Sequence, residues 1–400
     1  MSRPTPDLPA AGAVLPADAD RAVLVGRLHD PDVAGPCVVV VRGGRAHDIT
    51  AVASTVSELL DREDVVELVR AAPAGRSWPI DDLLAATTAG HRDRPHLLAP
   101  VDLQVLKAAG VTFVSSMLER VVEERAAGDA TLAREVRDRL AEVIGGAISS
   151  VRPGSPEAER VKQVLRAEGL WSQYLEVGIG PDPEIFTKAP VLSAVGSGAT
   201  IGVLARSTWN NPEPELVLVA SSRGRAVAAT LGNDVNLRDF EGRSALLLTE
   251  AKDNNASCAI GPFLRLFDED FTLADAVAQD VQLTVRGRDG YTLNGVNSVS
   301  EISRAPEELL AHAWGPHHRY PDGFVLFTGT MFAPTEDRDA PGQGFTHAPG
   351  DVVTISSPAL GTLVNTVDTA ENAPDWTFGI RELMHNLAAR GLLGAPGTAG

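Results

Sequence analysis

The sequence predicts an α+β fold dominated by β-structure, and three observations point to it. From Trp171 to about residue 370 the chain breaks into short apolar runs separated by Gly, Pro, Asn and Asp, the texture of strands and turns. Three- and four-residue apolar spacing, the mark of helices, is concentrated before that stretch and at the C-terminal end. Hydrophobic residues make up 44% and charged residues 22%, a globular composition that excludes disorder over most of the length. Four hundred residues have room for two or three domains of roughly 150 residues each, and no internal repeat is visible.

Taken in order, residues 1–20 are rich in Pro, Ala and Asp without periodicity and read as a mobile tail. Residues 21–95 read as a small N-terminal β-rich domain. Two apolar runs flank Asp30–Pro36, Gly43-Gly44 turns the chain, and Ser54 opens an amphipathic helix carrying Val56, Leu59 and Leu60, with Glu58 and Asp61 near its start. Residues 96–170 supply a lead-in strand and bridging helices. One helix covers 117–146, where Leu118, Val121, Val122, Leu132, Val136, Leu140 and Val143 keep helical spacing until Gly145-Gly146 stops it. A second runs from Pro156 to Glu168. Residues 171–395 form the β-rich main domain, closed by a helix over Ala370 to Leu393 with Ile380, Leu383 and Leu387 on one face.

The balance of 35 Lys+Arg against 53 Asp+Glu gives a net charge of −18. That argues against a nucleic-acid partner, which needs a basic face, and against an anionic membrane surface. The apolar runs Cys37–Val41 and Leu216–Ala220 are strand-length, far short of the roughly 20 residues that span a bilayer. Residues 1–20 have neither the basic nor the apolar region of a signal peptide, and Cys37 and Cys258 make no disulfide framework or CxxC pair. The expectation is a cytoplasmic protein with a small-molecule partner. Only Lys107, Lys162, Lys188 and Lys252 break an otherwise all-Arg set of basic residues. Arg stays protonated, whereas a buried Lys can lose its proton, so a retained lysine is a candidate for acid–base work.

The stretch that carries chemistry is Trp209-Asn-Asn-Pro-Glu-Pro-Glu-Leu-Val-Leu-Val-Ala220, followed by Ser221-Ser-Arg-Gly224 and a second apolar strand to Asp234. Two strands joined by a short Gly-containing loop make a hairpin. Glu213 and Glu215, two apart, point to one face. If Ala220 faces Arg225, Asp234 falls opposite Asn211 and joins that face. A one-residue slip would remove it. Three convergent carboxylates repel unless a cation neutralises them, and an all-oxygen set without His or Cys suits Mg²⁺, with Mn²⁺ as the alternative. A solvated acidic hairpin edge is the other reading of the same pattern.

The runs Pro183-Glu-Ile-Phe-Thr-Lys188, Asn211-Pro-Glu-Pro-Glu215, Gly232-Asn-Asp-Val-Asn-Leu-Arg-Asp239, Lys252, Gly261-Pro-Phe263, Thr328-Gly-Thr330 and Gly361-Thr-Leu-Val-Asn-Thr-Val367 resemble the fumarylacetoacetate hydrolase superfamily in its motif order, over about 97–395. The resemblance implies a mixed β-roll with a buried divalent-metal site in residues 171–395, which becomes the catalytic domain. It implies Glu213, Glu215 and Asp234 as metal ligands, Lys252 as the active-site lysine and Glu184 as a catalytic carboxylate. It also brings the expectation of a homo-oligomer, a dimer or tetramer.

One departure bears on the reaction. Hydrolases of the family carry Asn-Tyr-x-x-His-x-x-Glu after a Gly, whereas here Gly110 is followed by Val111-Thr-Phe-Val-Ser-Ser-Met-Leu-Glu119, with Ser116 at the His position. Serine is no base near neutral pH. A subgroup of the superfamily with that replacement dehydrates 2-keto-3-deoxy sugar acids, and the chain most resembles its members acting on 2-keto-3-deoxy-pentonates; that resemblance implies a Mg²⁺-dependent hydro-lyase giving 2,5-dioxopentanoate. The alternatives are a C–C hydrolase or decarboxylase of acylpyruvates and a non-catalytic keto-acid binder. Glu184 and Lys252 form the acid–base pair in either order, and a lowered Lys252 pKa is expected beside a metal in a dry pocket. Arg238 either holds a substrate carboxylate or hydroxyl or pairs with Asp239. Thr330 resembles a family substrate-binding threonine, and Ser116 either bonds a substrate hydroxyl or is an ordinary buried serine. His317, His318 and His347 read as surface or loop residues. Gly196-Ser-Gly198 is no nucleophile elbow, since Val195 precedes it, and no P-loop is present.

Overall fold

In the computed structural model, residues 14–73, 75–143 and 151–393 are described. The strands are β1 Leu24–Asp30, β2 Gly35–Arg42, β3 Arg45–Asp48, β4 Ser77–Pro79, β5 His96–Leu98, β6 Val105–Gly110, β7 Glu184–Ala189, β8 Thr200–Val203, β9 Asn210–Asn211, β10 Pro214–Ala220, β11 Ala226–Asp234, β12 Asn236–Leu237, β13 Cys258–Leu266, β14 Asp280–Arg286, β15 Thr292–Ser298, β16 Phe324–Phe327, β17 Val352–Ser357 and β18 Gly361–Thr369. Eleven of them form one mixed sheet in the order β4-β3-β2-β1-β13-β11-β10-β16-β6-β7, with β5 also pairing β1. Five form a second sheet, β15-β14-β17-β18-β8, and β9 pairs β12 alone. The β-rich α+β expectation holds.

Strand β10 explains why the sequence offers an unbroken apolar run here rather than alternation. Leu216 and Leu218 point into the core shared with the second sheet, beside Leu283, Val353 and Ile355. Val217 and Val219 point the other way, against Val325, Phe327, Ile260 and the helices Val56–Leu60 and Val65–Ala71. A strand buried on both faces has no place for polar residues until its end. That end is where Glu213 and Glu215 stand.

The N-terminal strands join the main sheet through β1, which pairs antiparallel with β13. The expected mobile tail is corrected over residues 14–20: Val14 is fully buried and accepts from Thr362 N, Ala17 N donates to Pro358 O, and Asp18 pairs with Arg265 at 2.7 Å. Residues 1–13 lie outside the described residues. The single helix expected over 117–146 is two, Val114–Arg125 and Ala130–Val143. Gly128, at φ 76°, breaks it, and a Cβ there would lie 2.6 Å from Asp239 O. The Gly145-Gly146 stop lies outside the described residues. Helix Pro156–Ala167 starts as expected, with Ser155 accepting from Ala158 N as its cap. The C-terminal helix is shorter than expected, Ile380–Ala389, with Leu383 and Leu387 buried but Ile380 exposed in its first turn. Helices Val114–Arg125, Pro156–Ala167 and Gln173–Ile179 share a third core with Trp209, and the first of them presents a polar stripe to the end of the β10–β11 hairpin.

Candidate active site

The hairpin closes one residue away from the assumed register. Ser221 N donates to Arg225 O and Ala220 faces Ala226, so Arg225 pairs with Ser221 and not with Ala220. A β-bulge between Val219 and Ala220 then shifts pairing by one more, and Glu215 comes to face Gly232. The two offsets add to an even number, so the side-chain faces are restored. Asp234 lies directly across from Glu213, its N–H on the Glu213 carbonyl at 3.1 Å, rather than across from Asn211.

Glu213, Glu215 and Asp234 are all buried, and one oxygen of each lies within 4.8 Å of the others. That removes the solvated-edge reading. Glu215 Oε2 accepts the Gly329 N–H at 2.6 Å. Gly329 reaches it in the left-handed region at φ 91°, where a Cβ would lie 2.0 Å from Thr112 Oγ1, so only glycine fits. Burial, then repulsion from Asp234 and Glu213, pushes the Glu215 carboxyl well above its usual range. Burial also raises Asp234, but the Lys188 and Lys252 ammonium groups outweigh it and hold that carboxyl low. Three buried carboxylates that strain against one another, with no His or Cys among them, fit a small hard dication.

Lys252 Nζ sits 2.6 Å from Glu213 Oε2 and 3.2 Å from Asp234 Oδ2. Its expected lowered pKa is corrected: burial pulls it down, but Asp234, Glu213 and Glu241 push it above the ordinary lysine value. Lys188, fully buried, lies behind the triad with Nζ 2.9 Å from Asp234 Oδ1 and 3.1 Å from Val235 O, and it also donates to Lys252 O. It ties the Asp234 strand to the end of the Lys252 helix, Leu248–Lys252.

Glu184 begins strand β7, paired with Gly110 of β6. A Cβ on Gly110 would lie 2.2 Å from Glu184 Oε2, so the glycine lets the carboxyl lie inward over the strand. Burial, then the Glu241 charge, raises it to about 7 against the pull of Arg120 and Lys252.

Ser116 and Thr330 both line the pocket. Ser116 Oγ donates to Phe113 O at 3.0 Å, which leaves its lone pairs free, and Thr330 Oγ1 accepts from Phe332 N. Arg238 reaches the pocket wall but is corrected as a free substrate clamp. Its Nε bonds Glu123 Oε1 at 2.7 Å, Nη1 the Pro334 carbonyl and Nη2 Glu119 Oε2, and the guanidinium stacks on Trp209. It does not pair with Asp239, which instead accepts from Ser207 and Thr208. His347 is in a loop but buried, 3.4 Å from Asp351.

Arg120, Glu123 and Glu241 were not singled out from sequence, and Lys188 only as one of four retained lysines. Arg120 spans three carboxylates, Glu213 at 2.5 Å, Glu123 at 2.6 Å and Glu241 at 2.8 Å. The signal was available: Ser116, Glu119, Arg120 and Glu123 recur at helical spacing, a polar stripe opposite the apolar one.

Comparison with known proteins gives a consistent picture. The fumarylacetoacetate (FAA) hydrolase C-terminal family matches residues 162–368. A probable 2-keto-3-deoxyxylonate dehydratase of Haloferax volcanii is 36% identical over 197 residues, 49% of this chain and 64% of that protein. A 2-dehydro-3-deoxy-D-arabinonate dehydratase of Saccharolobus solfataricus is 31% identical over 185 residues, 46% and 58% of the two chains. The matched region thus spans less than two thirds of either relative. The solved structure of a 2-keto-3-deoxy-D-arabinonate dehydratase complexed with magnesium and 2,5-dioxopentanoate superposes with a TM-score of 0.59 at 20% identity, over 86% of this chain and 99% of that one, and so shares the fold. Among the described residues no helix is long and apolar enough to cross a membrane.

Proposed function

The chain belongs to the fumarylacetoacetate hydrolase family, and from that premise we propose that it is a Mg²⁺-dependent hydro-lyase that converts a 2-keto-3-deoxy-pentonate to 2,5-dioxopentanoate, with Mn²⁺ as an alternative ion. The observation that carries the choice of reaction is the pocket's lining. None of the described residues around it is a histidine, so it lacks the imidazole base that hydrolysis of an acylpyruvate would use to activate water. The acid–base groups are Lys252, in contact with Glu213 and Asp234, and Glu184, whose carboxyl feels the Lys252 and Glu213 charges. The dehydratase relatives support the same branch.

Glu213, Glu215 and Asp234 would hold the ion, which when bound supplies Lewis acidity toward a 2-keto carboxylate. The chain's own groups account for the proton movements. Glu184, with a carboxyl near neutrality, takes a proton from carbon 3, and the ammonium of Lys252 gives one to the hydroxyl leaving from carbon 4, so water departs and a C3–C4 double bond forms. Moving a proton from carbon 5 back to carbon 3 then gives the C4–C5 enol, which becomes the aldehyde. Arg238, bound to Glu119 and Glu123, and Arg120, bound to Glu213 and Glu241, keep the helix Val114–Arg125 and its Ser116 against the pocket. A homo-oligomer, dimer or tetramer, belongs to the same reading.

The test offers the Mg²⁺-loaded protein a 2-keto-3-deoxy-pentonate and an acylpyruvate side by side. A semialdehyde from the first and no cleavage of the second is expected. Efficient acylpyruvate cleavage without semialdehyde would refute the choice of branch.

A further inference from the structure

Asn211 lines the pocket next to the triad and is 2% exposed. Its backbone is fixed by pairing of β9 with β12, where it faces Asn236. Its carboxamide Nδ2 donates to the Pro212 carbonyl at 2.8 Å. That bond sets the orientation of the amide, because a flipped carboxamide would put two acceptor oxygens together with no proton between them. Oδ1 is therefore directed away from Pro212, and among the described residues it is buried with no hydrogen-bond partner.

A buried amide oxygen without a donor is costly, so its persistence calls for a partner. The cations nearby do not supply one. Arg120 is spent on Glu123, Glu213 and Glu241, and Lys252 on Glu213 and Asp234. The other pocket-lining oxygens that lack a well-aligned bond have ion-pair partners: Lys188 lies 2.9 Å from Asp234 Oδ1, and Arg120 lies 2.8 Å from Glu241 Oε2. Asn211 Oδ1 is left as an acceptor that an incoming O–H must satisfy.

We propose that Asn211 is a specificity-determining residue: its Oδ1 accepts a hydrogen bond from a hydroxyl of the bound acid, so the pocket selects hydroxylated 2-keto acids over those with an apolar chain beyond the ketone. This rests on the dehydratase reading above and deepens it. A site built to bond a hydroxyl rejects the analogue that lacks one, because the protein group is then left unpaired. A water carried in on the ion is the other source of an O–H, and metal affinity tells the two apart.

Asn211→Leu, close in shape, and Asn211→Ala are compared with the parent in three measurements. These are kcat and KM for a 2-keto-3-deoxy-pentonate, the inhibition constant of 2-oxopentanoate, which has no hydroxyl, and the Mg²⁺ dissociation constant by calorimetry. Both variants should raise KM about tenfold while the 2-oxopentanoate and Mg²⁺ constants stay within about twofold. KM unchanged, KM and the inhibition constant rising together, or a weakened Mg²⁺ constant would each overturn the assignment. A parent that dehydrates nothing refutes the functional reading itself and the assignment with it, whereas an active parent without selective loss in the variants refutes Asn211 alone.

Discussion

Replacing Glu215 by Gln should separate the fold from the metal site. In the metal-free chain the Glu215 carboxyl is pushed well above its usual range, by burial and then by Asp234 and Glu213, which favours its protonated form. Glutamine has the same shape and no charge, and its amide oxygen can still take the Gly329 N–H that now meets Oε2. The metal-free melting temperature should therefore barely move. Metal binding should be lost, because a hard dication needs the ionised oxygen. An ion present at a hundred times its dissociation constant stabilises a protein by about 2.7 kcal/mol. With an unfolding entropy of about 2.1 cal/mol/K per residue, a 400-residue chain has about 0.8 kcal/mol/K, so the parent should gain about 3 °C. The variant at the same Mg²⁺ concentration should gain nothing. The sign of the pH effect follows from the raised carboxyl. The folded chain favours its protonated form, so this group's contribution to metal-free stability is greatest at low pH and erodes as pH climbs through the raised value. Metal must displace that proton, so affinity in the parent should climb with pH. Scanning calorimetry with Mg²⁺ or chelator, and titration in two buffers of different ionisation heat, measure both effects. A Gln variant that keeps the full Mg²⁺ shift, or a parent that binds Mg²⁺ without releasing a proton, would refute the reasoning.

Two further predictions concern the proton-transfer pair. Lys252→Met leaves Glu213 and Asp234 without their shared cation, and should cost about 3–5 kcal/mol of stability as a broken buried pair as well as about 10²-fold or more in rate. Lys252→Arg keeps the charge but not the transferable proton and should be as slow at unchanged metal content; an Arg variant within a few-fold of the parent would remove Lys252 from proton transfer. For Glu184, whose carboxyl lies at about 7, a role as base predicts that kcat/KM rises roughly ninefold between pH 6 and pH 8, as the ionised fraction goes from about one tenth to about nine tenths, and that Glu184→Gln abolishes the rise. A rate that falls over that range would make it the acid instead, and a flat profile would leave it no proton role.

How far the site was legible in the sequence depends on the distance over which each feature is encoded. Glu213 and Glu215 are two residues apart, and strand geometry alone puts them on one face. Asp234 needed a register, and the sequence did not disclose the bulge at Val219 and Ala220; the expected face survived because turn and bulge each shift pairing by one. The lysine scarcity was a usable signal, since Lys188 and Lys252 both proved buried against Asp234, whereas Lys107 and Lys162 lie elsewhere. Arg238 was misread because its partners, Glu119 and Glu123, are more than a hundred residues away and on a different helix. The break at Gly128 was hidden for a related reason, because the residue it must approach, Asp239, is distant in sequence.

Under the proposed function, the same wall gives a reason for cation binding and substrate binding to belong together in this acidic chain. Glu119, Glu123, Glu213, Glu215, Asp234 and Glu241 line the pocket, against Arg120, Arg238 and Lys252. The three cations are already committed to those carboxylates, at distances of 2.5 to 3.2 Å. A keto acid arriving as an anion therefore meets an excess of negative charge and no free arginine to clamp it. A dication held by Glu213, Glu215 and Asp234, as proposed, would reverse the local sign, and metal binding would then come before substrate binding. In a chain with a histidine base at position 116, water could be activated beside that ion. Here Ser116 holds its hydroxyl proton on Phe113 O, and the groups proposed to move protons are Glu184, near neutrality, and the ammonium of Lys252. A carboxylate and an ammonium can take a proton from one carbon and deliver one to a neighbouring hydroxyl, and that is what loss of water requires.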